Sequence, residues 1–121
     1  MSLIPFPQVL QAAGSPPKTI SEFVGHMATD EARLSIAVMD SPSGWSEPGQ
    51  RPDFDEFTVV LEGELLVETQ TATFAVVAGQ AVHAPSGTWV RYSTPAPGGA
   101  RYVAVCLPAF SPDSVHREPA S

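Results

Sequence analysis

The stretch Phe54-Asp55-Glu56-Phe57-Thr58-Val59-Val60-Leu61-Glu62-Gly63-Glu64-Leu65-Leu66-Val67-Glu68-Thr69 decides the fold class. β-Branched and aromatic residues crowd it, and its apolar positions recur every second residue, the period of a strand. Strand formers run to Leu61, break at Glu62-Gly63 and resume at Leu65. This predicts a hairpin, because glycine takes a positive φ at no steric cost. In the first run Phe57, Val59 and Leu61 form the more apolar face. Alternation alone therefore aims Glu56, Thr58 and Val60 at water.

The same period extends outward. Upstream, Leu34, Ile36 and Val38 alternate with Ser35 and Ala37, and residues 41–53 (SPSGWSEPGQRPD) read as a loop. Downstream, strands are predicted at Thr73–Val77, Ala81–Ala84, Trp89–Ser93 and Arg101–Leu107, separated by Ala78-Gly79, Pro85-Ser86-Gly87 and Pro95-Ala96-Pro97-Gly98-Gly99. Residues 1–17 read as an N-terminal arm with one helical turn at Gln8–Ala13. Residues 18–110 read as the barrel domain and 111–121 as a polar, proline-rich tail. About eight short strands with frequent turns and no long helix predict an all-β sandwich, jelly roll or barrel.

Composition narrows the function. A chain of 121 residues is one domain by length. Thirteen prolines and only 16 % charged residues suit short strands joined by turns. The net charge is −7, with Lys18 and five arginines on the basic side. A phosphate backbone needs a basic stripe, so no nucleic-acid partner is expected. No apolar run is long enough to span a bilayer as a helix, and the first ten residues lack a secretory pattern, so a cytoplasmic location and no membrane partner are expected. The single cysteine, Cys106, alternates with Tyr102 and Ala104 and reads as a buried thiol. Nucleophile-elbow, dinucleotide and phosphate-loop motifs are absent from the sequence.

Two spaced motifs go further. Gly44, Gln50-Arg51-Pro52, Glu56 and Gly63 stand in one register, and Gly79, Pro85, Gly87, Val90 and Thr94 in a second, 15 residues after the first. This arrangement resembles the cupin family, whose first motif places His-x-His, Glu and Gly at those positions and whose second places Pro-x-Gly, His and Asn. Six scaffold positions agree in identity and spacing (Gly44, Glu56, Gly63, Gly79, Pro85 and Gly87). The segments Phe54-Asp55-Glu56 and Val60-Leu61-Glu62-Gly63-Glu64-Leu65 are similar to ethanolamine-utilisation-type cupins, which also lack the histidine pair. The resemblance implies a jelly-roll barrel, the double-stranded β-helix.

Cupins ordinarily hold a divalent metal with three histidines and the motif glutamate. Here the histidine positions are Gln50, Pro52 and Val90, and only Glu56 remains. Proline and valine supply no side-chain donor, and a catalytic metal takes about three protein ligands. No cofactor is therefore expected; the alternative is a rebuilt metal site of Gln50, Glu56 and His83.

The resemblance turns Glu56 into the barrel, where desolvation should raise its pKa and make it a candidate acid or base, with His83 as a second catalytic candidate. Gln50, Thr58, Val60, Val90 and Tyr92 are the expected pocket residues. Phe57, Val59 and Leu61 then face outward and need cover, from a partner copy in a homodimer or from the arm. The function expected is small-molecule binding in the barrel. The alternatives are a metal-free isomerase, lyase or cyclase using Glu56, and a metal-dependent enzyme.

Overall fold

The computed structural model describes residues 1–12 and 14–119. Among these residues nine strands follow one another: β1 (Gln8–Ala12), β2 (Lys18–Val24), β3 (Ser35–Ser41), β4 (Trp45–Ser46), β5 (Asp55–Glu68), β6 (Thr73–Val77), β7 (Ala81–Ala84), β8 (Arg91–Thr94) and β9 (Ala100–Leu107). All pairings between these strands are antiparallel. One sheet runs β1-β2-β3-β9-β5-β7 and the other β6-β5-β8-β4, with β5 shared by both. Among the described residues no helix is long and apolar enough to cross a membrane.

The shared strand explains the shape. In its first half Thr58 and Val60 are buried; in its second half Leu65 and Val67 are. Even positions point inward before the break and odd positions after it. An unbroken strand cannot change parity, so one residue must be extra. The ladder with β9 supplies it. Val60 pairs Tyr102 and Glu62 pairs Arg101, which leaves Leu61 as the bulge. The hairpin predicted at Glu62-Gly63 is thus a bulge inside one 14-residue strand. Gly63 keeps its positive φ of 78°, and a Cβ there would run into the Gly99 carbonyl, so the glycine serves a close backbone crossing between the sheets.

The helical turn expected at Gln8–Ala13 is instead strand β1, paired from Gln8 to Ala12 with β2; Ala13 lies outside the described residues. An edge that offers ladder hydrogen bonds overrides a weak local preference. The tail is not loose either. A 3₁₀ turn at Pro112–Ser114 and an isolated bridge from Arg117 to Gln50 lay it across one end of the barrel. Phe110 meets Phe54 edge to face at 6.2 Å, and Val115 packs with Phe54 and Cys106.

The main core lies towards the other end, where Trp45, Val60, Leu65, Val67, Val90 and Tyr92 form one buried cluster. Between this plug and the tail the barrel is not filled.

Candidate functional site

That unfilled space is a cavity of about 320 Å³. Strands β1, β2, β3, β5, β8 and β9, the 47–54 loop and the tail all contribute to its wall. Most of the wall is apolar, with Leu10, Ile20, Met39, Phe54, Phe110 and Val115 among its residues. A mostly apolar concavity with a few polar groups is the usual make-up of a small-molecule site.

Glu56 lies in that wall. It pairs with Ala84 of β7 and Cys106 of β9, and pleat geometry puts it on the same inner face as Thr58 and Val60. Its Oε1 accepts a hydrogen bond from the Tyr92 hydroxyl at 2.7 Å, and its Oε2 accepts a weak one from the Cys106 thiol at 3.6 Å. Burial is the largest influence on the carboxyl and raises its pKa; the Tyr92 bond and the charge of Lys18 oppose that without reversing it. Burial and the neighbouring Glu56 push the Tyr92 hydroxyl well above the usual phenol range and push the Cys106 thiol up too. Both effects disfavour the thiolate, the form a nucleophile needs.

Of the other expected pocket residues, Gln50, Thr58 and Tyr92 line the cavity. Gln50 is buried, and its side-chain carbonyl has no hydrogen-bond partner among the described residues. Val60 and Val90 lie in the core cluster beneath. His83 does not share the cavity. It pairs with Phe57, stacks on that ring at 4.2 Å on the outer face, and bonds Asp55 at 3.1 Å. The His83 bond is also the main reason the Asp55 carboxyl lies low. Gln50, Glu56 and His83 thus cannot close on one ion. At the family's metal positions Pro52 and Val90 offer no donor. Among the described residues no group of three or more His, Cys, Asp or Glu is placed to hold a metal. The residues present do not fit the family's metal.

Sequence reading missed a second polar group. Lys18, at the start of β2, is only 7 % exposed and lines the cavity. Its ammonium stands 4.4 Å from the Trp45 ring centroid and 3.8 Å from Glu47 Oε2. Glu47 is buried, and Arg117 approaches the same oxygen at 3.5 Å. Burial opposes the Lys18 charge, but Glu47, Tyr102 and Glu56 outweigh it and raise the pKa, so the ammonium form is held. Glu22, also inward on β2, turns to cap the following loop, accepting from the Met27 and Ala28 amides at 3.1 and 3.0 Å.

No family model matches this chain. A curated relative, the endoribonuclease YbeY of Myxococcus xanthus, is 43 % identical over 101 residues. The match covers 84 % of this chain but 34 % of that protein, so the chain spans about a third of the relative's length. Solved structures share the fold. A Salmonella typhimurium protein described as ethanolamine utilization protein Q is 21 % identical, with a TM-score of 0.67 over 86 % of this chain and 97 % of that one. An RmlC-like cupin from Shewanella frigidimarina is 15 % identical, with a TM-score of 0.72 over 91 % of each chain. The polyketide cyclase RemF of Streptomyces resistomycificus is 18 % identical, with a TM-score of 0.74 over all of this chain and 86 % of that one.

Proposed function

We propose that this chain, a cupin by fold, binds a small, largely apolar molecule inside its barrel without a metal, using Glu56, Gln50 and Tyr92 as polar anchors. The observation that carries this is the cavity itself: some 320 Å³ of mostly apolar space with a buried carboxyl bonded to a buried tyrosine. A second reading, acid–base catalysis on the same ligand, is favoured by the raised pKa of Glu56, which brings a carboxylic acid towards neutral working pH. In that case Glu56 exchanges a proton with the ligand, and the Tyr92 hydroxyl steadies the carboxylate left behind. Ribonuclease activity is not proposed for this segment. Its net charge of −7 and its lack of a basic stripe oppose a phosphate backbone.

Fragment binding by ligand-observed NMR, run beside elemental analysis of protein purified without chelator or tag, tests the reading. Fragments should bind the wild type and be lost in Ala104→Phe, which fills the cavity from β9. Fragments that still bind Ala104→Phe, or a transition metal near one per chain, would overturn it.

We also infer a homodimer. Phe57, Val59 and Leu61 are 43–45 % exposed on the outer face of β5, and Leu107 is exposed beside them at the end of β9. Leu3 and Phe6 of the N-terminal arm are exposed as well. A second copy presenting the same face would cover these residues in a closed two-fold arrangement.

A further inference from the structure

Among the described residues two cations of the cavity share one carboxylate oxygen, with the Trp45 ring as the further neighbour of Lys18. Lys18 is the only lysine in the chain, and its side chain is 9 % exposed. Its nearest carboxylate oxygen, Glu47 Oε2, stands at 3.8 Å, beyond hydrogen-bond length. Arg117 reaches that same oxygen at 3.5 Å, the outer limit of a bond, and its Nε is buried with no partner among the described residues. Both side chains line the cavity. Buried donors of this kind are costly to leave unmet, and charged ones more so.

The other acids of the cavity do not meet the need. Glu22 is about 13 Å along β2 from Lys18 by strand rise, and its carboxylate is engaged by two backbone amides. Glu56 is occupied by Tyr92 and Cys106. Tyr102 is paired with Ser41 at 2.9 Å. What is missing is an acceptor, best an anionic one, brought from outside. Gln50, which shares the Arg117 bridge, adds a side-chain carbonyl that is unmet among the described residues and would take a ligand hydroxyl or N–H. The tail that delivers Arg117 also delivers Phe110 and Val115, so one segment would hold both the charged and the apolar end of a ligand.

We propose that the cavity selects small apolar carboxylates, with the ligand carboxylate taking the unspent hydrogen bonds of Lys18 and Arg117 and its hydrocarbon part lying on the apolar wall. This rests on the reading of the barrel as a small-molecule site and names the ligand class for it. Lys18 is shielded from bulk water, while the Arg117 side chain is 29 % exposed and marks the side from which a ligand carboxylate would enter.

The test compares matched probes on the intact chain: benzoate, phenylacetate, 3-phenylpropionate and hexanoate, each beside the alcohol and the amine of the same skeleton. Binding is read by ligand-observed NMR. Charge-assisted hydrogen bonds in a mostly apolar pocket support a preference for the carboxylate of about tenfold or more over the alcohol. Lys18→Met and Arg117→Gln should each cut that preference to roughly threefold or less while alcohol binding persists. A measurement on unaltered protein guards against a variant that fails to fold. Acetylation by an amine-reactive reagent can modify only the N-terminal amine and Lys18, and a bound carboxylate should slow the Lys18 reaction alone, as read by mass spectrometry. Alcohols and amines that bind as well as carboxylates, or Lys18 acetylation that bound carboxylate does not slow, would overturn the carboxylate assignment and leave the barrel a binding site. Failure of every probe to bind would overturn both readings.

Discussion

Replacing Glu56 by Gln should change how the stability of the protein depends on pH, and only over one window. The carboxyl has a raised pKa in the folded chain against 4.5 for an ordinary glutamate. The folded state therefore holds the proton more tightly than the unfolded state between 4.5 and the raised value. Over that range stability must fall as pH rises, by up to about 1.4 kcal/mol per pH unit for one proton. The contribution is fully present below pH 4.5 and lost as pH passes the folded value. Other shifted groups act elsewhere. Asp55 and Glu31 have lowered pKa values, Glu31 at about 2, so what they add is lost only in acid. Lys18, Tyr92, Tyr102 and Cys106 act above pH 9, from ordinary values of 10.5, 10.0, 10.0 and 9.0. Gln is isosteric and its carbonyl still accepts from Tyr92, so Glu56→Gln removes the titration without removing the bond. Urea unfolding of both proteins between pH 4.5 and 8 should show curves that diverge, with the variant gaining on the wild type as pH rises, at a slope of up to about 1.4 kcal/mol per pH unit. Parallel curves across this window would show that Glu56 titrates as it does in the unfolded chain, and would refute the argument from burial.

Tyr92→Phe removes the donor that lowers the Glu56 pKa. The falling limb should therefore extend to higher pH, with a loss of about 1–3 kcal/mol measured by the same titration. Gly63→Ala meets both a positive φ and the Gly99 carbonyl, so Tm should drop by roughly 8 °C or more in calorimetry, for a cost of about 2 kcal/mol. Leu65→Ala, at a fully buried position in the plug beneath the cavity, should cost about 3–5 kcal/mol by urea unfolding. Val59→Glu, on the outer face, should give a monomer by sedimentation equilibrium with its cavity intact; an unchanged mass would remove the case for that face as the interface.

Most of the fold was legible because strand alternation and glycine spacing are local. The strands at Thr73–Val77 and Ala81–Ala84 lie where the turns bound them, and the barrel follows from the cupin-like spacing. The hairpin at Gly63 was misread because a bulge and a turn leave the same mark, a glycine between two apolar runs. What separates them is parity, since inward positions change from Val60 to Leu65, and parity requires knowing which face is covered. The cover of Phe57, Val59 and Leu61 is not in the alternation, so periodicity pointed Glu56 the wrong way and motif register the right way. The turn at Gln8–Ala13 was misread because β1 exists only through its pairing with the edge of β2, a long-range effect that no local preference records.

Within the site, legibility follows the motifs and stops with them. Glu56 and Gln50 were legible as cavity-lining residues because each occupies a spaced motif position, and Tyr92 because it lies two residues past one. His83 was placed by its residue type alone. Its neighbour Val82 packs against the buried core, so alternation sends His83 to the other side of β7, and a parity argument from Val82 would have rejected it. Lys18, Glu47 and Arg117 were not legible as a group, because Glu47 and Arg117 are 70 residues apart and meet only when the tail crosses the barrel. One signal was present even so. A chain with a single lysine has little use for it as a solubilising charge, and that lysine begins the alternation Lys18, Ile20, Glu22 on the face where Ile20 is buried. A charged residue in phase with the core of a strand must be desolvated, and a desolvated ammonium requires a partner inside. In this barrel Lys18 and Arg117 bring two cations, which donate hydrogen bonds, to the wall of a mostly apolar cavity, and both converge on the one Glu47 oxygen.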